Sequence, residues 1–358
     1  MTSPQRILYV FPATGGIADY AQQIQALYKR LGHHVRALPV YPEDTTIDVV
    51  YQVHERYDLI HYEVGTGDGV IFDVSRRFSR VHHVPRIFTI HDPGVAVRNP
   101  IQVELTDSSK SAVRFSAKAL QKAVNQLVAK PVVNRALNQP KTVKVFLRKD
   151  LATGSHTHYL PQPTYHENPP KTRTPKKTLT VGFSGYWGRE KGIETLIEAW
   201  PHVDAKAKLV LSGAGTDNYA DRMKSLASNL KPTPDFPGFI EPEKFDSFLS
   251  GLSVLVLPYW PELPAGASAM SMRAAELGVP IIASDTPALR GQLGPKGAVY
   301  VPAKDPSALG KAITEVLTKP EVYQKQAAAL QQKLFKDHGW DKVQKQLQKI
   351  VVDAAGLK

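Results

Sequence analysis

The stretch Val254–Asp285, VLVLPYWPELPAGASAMSMRAAELGVPIIASD, carries residue types at a spacing that could bind a phosphate-bearing ligand. Val254–Leu257 is an apolar, β-branched run suited to a buried strand. Pro258 stops it, Gly266–Ser268 opens a small-residue helix that runs to Leu277, and Gly278 and Pro280 end that helix before the next strand at Ile281–Ala283. Small residues at a helix start let backbone N–H groups approach a ligand closely, and the unpaired donors and the helix dipole favour an anion there. The same turn also occurs in α/β proteins that bind nothing at that point, so the residues alone leave a packing role open.

A second chemical feature is charge. The chain carries 45 Lys and Arg against 33 Asp and Glu, a net charge of +12 over 358 residues. Ten of the basic residues, from Lys110 to Lys149, fall in the segment 108–149, which has no acidic residue. In its first half the cations recur every four residues while Val113, Leu120, Val124 and Leu127 recur at three and four, which predicts an amphipathic basic helix. It reads either as a surface helix whose apolar stripe faces its own domain or as a contact with an anionic membrane surface. Nucleic acid is not an expected partner, because Phe115 and Phe146 are the segment's only aromatics and no RNA- or DNA-binding signature is present.

Composition removes several classes. The absence of cysteine excludes disulfide scaffolds, thiolate metal sites and cysteine nucleophiles. No apolar run approaches the roughly 18 residues that span a bilayer, and the Met1 region lacks a secretion signal. A cytoplasmic protein is expected, with peripheral attachment at the inner face of the membrane as an added reading of the basic segment.

The elements that must position these residues form two βα series. Arg6–Phe11 reads as a strand, Gly15–Gly16 as a turn and Asp19–Gly32 as a helix. Val35–Leu38, Leu59–Tyr62 and Ile87–Ile90 follow as strands, with Val70–Arg80 helical. Pro161–Lys177, with five prolines, reads as a linker. The alternation then restarts with strands at Leu179–Ser184, Lys208–Ser212, Val254–Leu257, Ile281–Ala283 and Ala298–Val301, and helices at Ile193–Trp200, Tyr219–Leu230 and Ala267–Leu277. Strands alternating with helices imply parallel, doubly wound sheets. The expected organisation is a Rossmann-like domain over 1–160, a linker over 161–178 and a second Rossmann-like domain over 179–339, the two facing a cleft, with a terminal helix within 340–358.

On these residues the chain resembles a glycosyltransferase of the GT-B fold, specifically glycosyltransferase family 4. Gly15–Gly16–Ile17 with its helix and the Leu31–Val35 turn is similar to the family's opening loop, and Thr89–Ile90–His91–Asp92 to its strand-end histidine motif. Gly185–Gly192, Leu211–Gly215, Phe236–Ile240 and Leu257–Tyr259 follow in the family's order and spacing. The resemblance covers nearly the whole chain and implies a nucleotide-sugar donor, UDP- or GDP-linked, and a second domain that binds it. It further implies transfer with retention at the anomeric carbon, no metal, and a last helix that crosses back to the first domain.

Residue roles follow. A diphosphate gains charge as the glycosidic bond breaks, so cations must be aimed at it. Arg189 and Lys191, in the loop after the second domain's first strand, are placed to supply them, or else form a solvated loop pair. Gly185, Phe239, Ile240, Glu262, Gly266, Ala267 and Ser268 complete the candidate donor site, and Gly15 and Gly16 occupy the equivalent turn of the first domain. The resemblance puts His91 near the transferred sugar, the alternative being a core histidine satisfied by Asp92. His61, Glu63 and Asp19 are acceptor-side candidates. His61 and Glu63 are expected to point to opposite faces of their strand, and a solvated strand end is the other reading of both.

The chain departs from the family at one motif. Counting back from Gly278 puts the family's two donor-binding glutamates at Ala265 and Arg273. Glu262 precedes the helix and could reach the sugar, whereas Glu276 could simply pair with Arg273. A catalytically impaired nucleotide- or sugar-binding regulator of the same fold is therefore the second reading. A dinucleotide oxidoreductase is a poor fit, since Asn218 stands at the third glycine of that fingerprint. No two aspartates lie two apart, so the Asp-x-Asp metal signature is missing. A glycan, glycolipid or cell-envelope acceptor is expected, and a membrane-bound one, which would account for the basic segment, makes a glycolipid, lipid-linked saccharide or cell-envelope polymer the leading class.

Overall fold

A computed structural model describes residues 3–65, 69–91, 130–171, 178–215, 218–261 and 268–357. The chain divides into two compact units, one formed by Met1–Pro163 with Trp340–Lys358 and the other by Thr164–Gly339.

In the first unit β1 (Arg6–Pro12), β2 (His34–Val40), β3 (Leu59–Val64), β4 (Arg86–Ile90), β5 (Thr142–Phe146) and β6 (Thr157–Tyr159) form one sheet in the order β2-β1-β3-β4-β5-β6, every pair parallel. A parallel strand is covered on both faces and so reads as an unbroken apolar run, and β3 and β4 are buried at every position. On one face Phe72 and Phe78 of the Gly69–Val81 helix pack with Tyr62 and Phe88. On the other, Tyr20, Ile24, Leu27 and Tyr28 of the Gly15–Arg30 helix meet Val343, Leu347, Ile350 and Val351 of the Trp340–Gly356 helix.

The second unit repeats the plan with β7 (Thr180–Ser184), β8 (Lys208–Ser212), β9 (Asp235–Gly238), β10 (Val254–Leu257), β11 (Ile281–Ser284) and β12 (Val299–Val301) in the order β12-β11-β10-β7-β8-β9, again all parallel. In each sheet the first strand is central and the chain winds off to one side, then the other. Open α/β sheets bind ligands outside the carboxyl ends of the strands where that direction reverses. Here those points are β1 with β3, and β7 with β10.

Several elements differ from expectation. Gly15 and Gly16 are not a separate turn but the first turn of the Gly15–Arg30 helix, which starts four residues ahead of the expected Asp19. Strands β5 and β6 were not expected: in β5 the half-exposed Lys144 interrupts the buried Val143 and Val145, and β6 is only three half-buried residues, Thr157, His158 and Tyr159. The expected basic helix, in the first half of 108–149, lies outside the described residues. The described remainder of the segment forms the Lys130–Leu137 helix, β5 and the start of a short turn at Lys149–Leu151.

The terminal helix contributes a large share of one face of the first core. Leu347→Ala, at a fully buried position, should cost about 2–5 kcal/mol, read as a lower urea midpoint; a loss under about 1 kcal/mol would contradict that packing.

Candidate functional site

At the carboxyl end of the first sheet a buried polar cluster forms around Glu63. The carboxylate has no exposed surface; Tyr9 Oη donates to its Oε1 at 2.6 Å and His91 Nε2 donates to its Oε2 at 2.7 Å. His61 Nε2 lies 3.2 Å from Oε1 and 2.7 Å from Thr89 Oγ1, while Tyr28 Oη is 2.8 Å from His61 Nδ1. With Glu63 as a carboxylate, the His61 proton sits on Nε2 and Nδ1 accepts from Tyr28. Burial, against the pull of Glu63, holds the His61 pKa down at about 4. Burial first, then Glu63, pushes Tyr9, Tyr20 and Tyr28 well above the usual phenol range. Tyr20 stands edge-on to His91, ring centroids 4.9 Å apart, and its buried hydroxyl has no hydrogen-bond partner among the described residues.

This overturns two expectations. His61 and Glu63 do not diverge: positions two apart on a strand share a face, and Tyr62 between them points into the opposite core. Nor are they solvated, both being fully buried. The partner of His91 is Glu63, and Asp92 lies outside the described residues. Asp19 is exposed on the neighbouring helix, and Thr14, which precedes that helix, gives no side-chain cap to its first turn, where Gly15 and Gly16 are exposed.

In the second unit the loops after β7, β8 and β10 are sewn together. Gly213 has φ +113° and approaches Gly185 so closely that a Cβ would lie 1.8 Å from the Gly185 carbonyl oxygen. Its N–H donates to the Gly238 carbonyl at 2.7 Å, which brings Gly185 to the Phe239–Ile240 segment. Gly192, at φ +63°, would place a Cβ 1.9 Å from the Pro258 carbonyl oxygen, and Trp260 N–H donates to the Glu190 carbonyl at 2.9 Å. Arg189 and Lys191 lie in the resulting short turn. Lys191 Nζ stands 4.5 Å over the Tyr259 ring, and the Tyr259 hydroxyl is 3.3 Å from Ser268 Oγ. Arg189 is exposed, Ile240 half-buried and the Phe239 ring 69% exposed.

The helix after β10 is Ala269–Glu276, capped by Ser268, whose Oγ accepts from Ser271 N–H at 3.2 Å. Ser268 N–H is not an open donor for a ligand: it donates to Gln292 Oε1 at 2.9 Å. Glu262, Ala265, Gly266 and Ala267 lie outside the described residues. Arg273 does not pair with Glu276. It donates to Asp246 Oδ1 at 2.7 Å and packs on the rings of Tyr165 and Phe245. The buried Glu276 instead receives the backbone N–H groups of Tyr165 and His166 and lies 2.7 Å from the His166 ring. Burial raises its pKa, and these hydrogen bonds oppose the rise.

Tyr9 and Tyr28 were not singled out in the sequence, and Thr89 and Tyr259 only as members of motifs, with no role. Tyr9 and Thr89 carried a usable signal: Tyr9, His61, Glu63, Thr89 and His91 are polar residues on or at the ends of otherwise apolar strands, His61 with Glu63 and Thr89 with His91 two apart, a pattern that costs desolvation unless the groups meet. Among the described residues no group of three or more His, Asp or Glu could hold a metal ion. No described helix is long and apolar enough to cross a membrane.

Residues 176–319 match the family described as Glycosyl transferases group 1, and the two-unit α/β architecture is that of GT-B glycosyltransferases, as the sequence motifs implied. Sucrose-phosphate synthase from Thermosynechococcus elongatus superposes with a TM-score of 0.73 at 17% identity, over 99% of this chain and 100% of that one. HepE from Anabaena, in complex with UDP-glucose, gives 0.71 at 14% identity over 97% and 99%. A glycosyltransferase from Rickettsia africae gives 0.68 at 11% identity over 99% of each. No curated protein matches at the sequence level.

The buried His61 makes a pH prediction. Below the ordinary value of 6.5 the unfolded chain takes up a proton that the folded one refuses until about 4, so stability present above pH 6.5 is lost as pH falls through that window, roughly 3 kcal/mol in all. Urea unfolding between pH 7 and 4.5 should show it, with a flatter profile for His61→Asn; equal slopes would rule it out.

Proposed function

We propose that this chain, a glycosyltransferase of the group 1 type, transfers a hexosyl unit from a nucleotide sugar to a saccharide, glycolipid or cell-envelope acceptor with retention of configuration, as in family 4. The observation that carries the proposal is the convergence of the loops after β7, β8 and β10 on Gly185, Lys191, Tyr259 and Ser268 at the switch point of the second sheet. Lys191 and Arg189 bind the donor diphosphate, charge-assisted contacts of about 1.5–3 kcal/mol each. Gly185 and Ile240 line the nucleotide, whose base packs on the exposed Phe239 ring. Gly15, Gly16 and Ser268 are further donor-side positions, with Glu262, Gly266 and Ala267 beside them in sequence. UDP is the favoured carrier, because HepE, of the same fold, was solved with UDP-glucose.

On the first unit His91, its ring fixed by Glu63, is the residue offered to the reacting sugar. Asp19 is the exposed acceptor-side group, and His61 and Glu63 act from behind His91 rather than on the acceptor. In transfer with retention the bond from the anomeric carbon to the phosphate oxygen breaks and the bond to the acceptor oxygen forms on the same face. The acceptor proton passes to the departing diphosphate, so no side-chain nucleophile is consumed, and family 4 chemistry needs no metal. The work is cytoplasmic, and an anionic membrane surface, reached through 108–149, is where a lipid-linked acceptor would be met. The regulator reading draws on Arg273: it stands at a family glutamate position and is committed to Asp246, Tyr165 and Phe245.

Thermal unfolding with UDP, GDP and their sugars tests the donor side. A ligand at about a hundred times its Kd adds roughly 2.7 kcal/mol; one nucleotide family should stabilise the wild type and fail on Lys191→Ala, and no response to any would refute donor binding. His91→Ala should keep that response and lose transfer and donor hydrolysis by about 100-fold or more. Wild-type protein that binds a nucleotide sugar but neither transfers nor hydrolyses it would establish the regulator.

A further inference from the structure

A lysine ammonium is a point charge on a flexible stem, so what it can do depends on what holds it. Lys191 is half-buried in its short turn, and its Nζ makes no hydrogen bond or ion pair among the described residues. It stands 4.5 Å over the Tyr259 ring, whose face attracts a cation. The turn itself is fixed separately, by the next residue along: Trp260 N–H donates to the Glu190 carbonyl at 2.9 Å and Trp260 Nε1 to Thr195 Oγ1 at 3.0 Å. The two aromatics after β10 thus divide the task, Trp260 holding the backbone beside the lysine and Tyr259 its charge.

Tyr259 is 5% exposed, and its hydroxyl lies 3.3 Å from Ser268 Oγ. Ser268 is in turn held by one side chain from another element. Gln292, in the Pro287–Leu293 helix after β11, accepts the Ser268 N–H on Oε1 at 2.9 Å and donates from Nε2 to the Ser268 carbonyl at 3.1 Å. Its amide therefore pairs with both backbone groups of one residue, as a neighbouring strand does in a sheet. The fully buried Ser271 adds its hydroxyl, 3.0 Å from the same Oε1. Capping the Ala269–Glu276 helix does not require these bonds, because Ser268 Oγ already accepts from Ser271 N–H at 3.2 Å. What they add is a fixed place for Ser268, and through it for the Tyr259 ring.

We infer that Gln292 is a positioning residue for donor binding: through Ser268 and Tyr259 it sets where the Lys191 ammonium meets the diphosphate. The inference rests on the assignment of Lys191 to that diphosphate and adds to it a residue two contacts removed from the lysine. A charged group aimed by a rigid ring is sensitive to displacements of about 1 Å, so a change at Gln292 is felt at the phosphates.

The test is a set of double-mutant cycles on the full chain, with UDP and GDP as probes and binding read by calorimetry, or by ligand-observed NMR where it is weak. Gln292→Met, of similar size but unable to make these bonds, should weaken the nucleoside diphosphate that wild type binds about fivefold. Tyr259→Phe, which keeps the ring under Lys191 and breaks only its link to Ser268, should weaken it as much without lowering the thermal midpoint. Because the residues act in series, the two changes together should cost no more than either alone, and neither should weaken binding further in Lys191→Ala. Losses that multiply, or that persist undiminished in Lys191→Ala, assign Gln292 to the fold and overturn the inference. Unchanged binding in Gln292→Met and Tyr259→Phe, with loss in Lys191→Ala, overturns it and leaves the donor assignment standing. Wild-type protein that binds neither UDP nor GDP, or a Lys191→Ala variant that binds as wild type does, removes the donor assignment and this inference with it.

Discussion

Burying a carboxylate is tolerated only when donors surround it, and each unit of this protein is organised around one such group. Glu63 fixes the carboxyl edge of the first sheet. Its two oxygens draw in Tyr9 from β1 and His91 from the end of β4, and His61 on its own strand contacts one of them. Glu276 does the same for the second, taking the backbone of Tyr165 and His166 onto the helix that follows β10. Removing one partner of such a group leaves the rest buried and uncompensated, so each cluster resists piecemeal change. That resistance is useful next to a reacting centre, where a histidine ring free to rotate would be of little value.

Most of the strands and the loops that follow them were legible in the sequence, because parallel strands covered on both faces are continuous apolar runs and glycines mark their carboxyl ends. Val254–Leu257 and Lys208–Ser212 coincide with β10 and β8, and the glycines of Gly185–Gly192 and Leu211–Gly215 do meet. The buried polar cluster was harder to see. His91, His61 and Glu63 stood out as residue types, but their mutual contacts depend on the register of β1, β3 and β4, in which Tyr9 faces His61 and Glu63 faces Thr89. No local pattern encodes that register. The same holds for Gln292, whose amide takes Ser268 N–H from a helix far along the chain.

Arg273, where the sequence resemblance put a glutamate, has a structural role of its own. The position looks into a niche built by Asp246, Phe245 and Tyr165, so a guanidinium there gains an ion pair and two aromatic faces. The arginine is thereby a structural tie between the Pro242–Gly251 and Ala269–Glu276 helices.

The two ends of the second unit lie together, Thr164 N–H donating to the His338 carbonyl at 3.1 Å. The unit is thus a closed insertion, continuous in sequence, whereas the first unit is interrupted by it. On the ribosome, where chains emerge from the amino end, this sets an order of assembly. The Gly15–Arg30 helix is made early but waits, one face of its core uncovered, until the whole insertion has been synthesised and Val343, Leu347 and Val351 arrive. The Trp340–Gly356 helix therefore decides when the first half is finished, and until it arrives the open apolar face is the part of the nascent chain that a chaperone would have to cover.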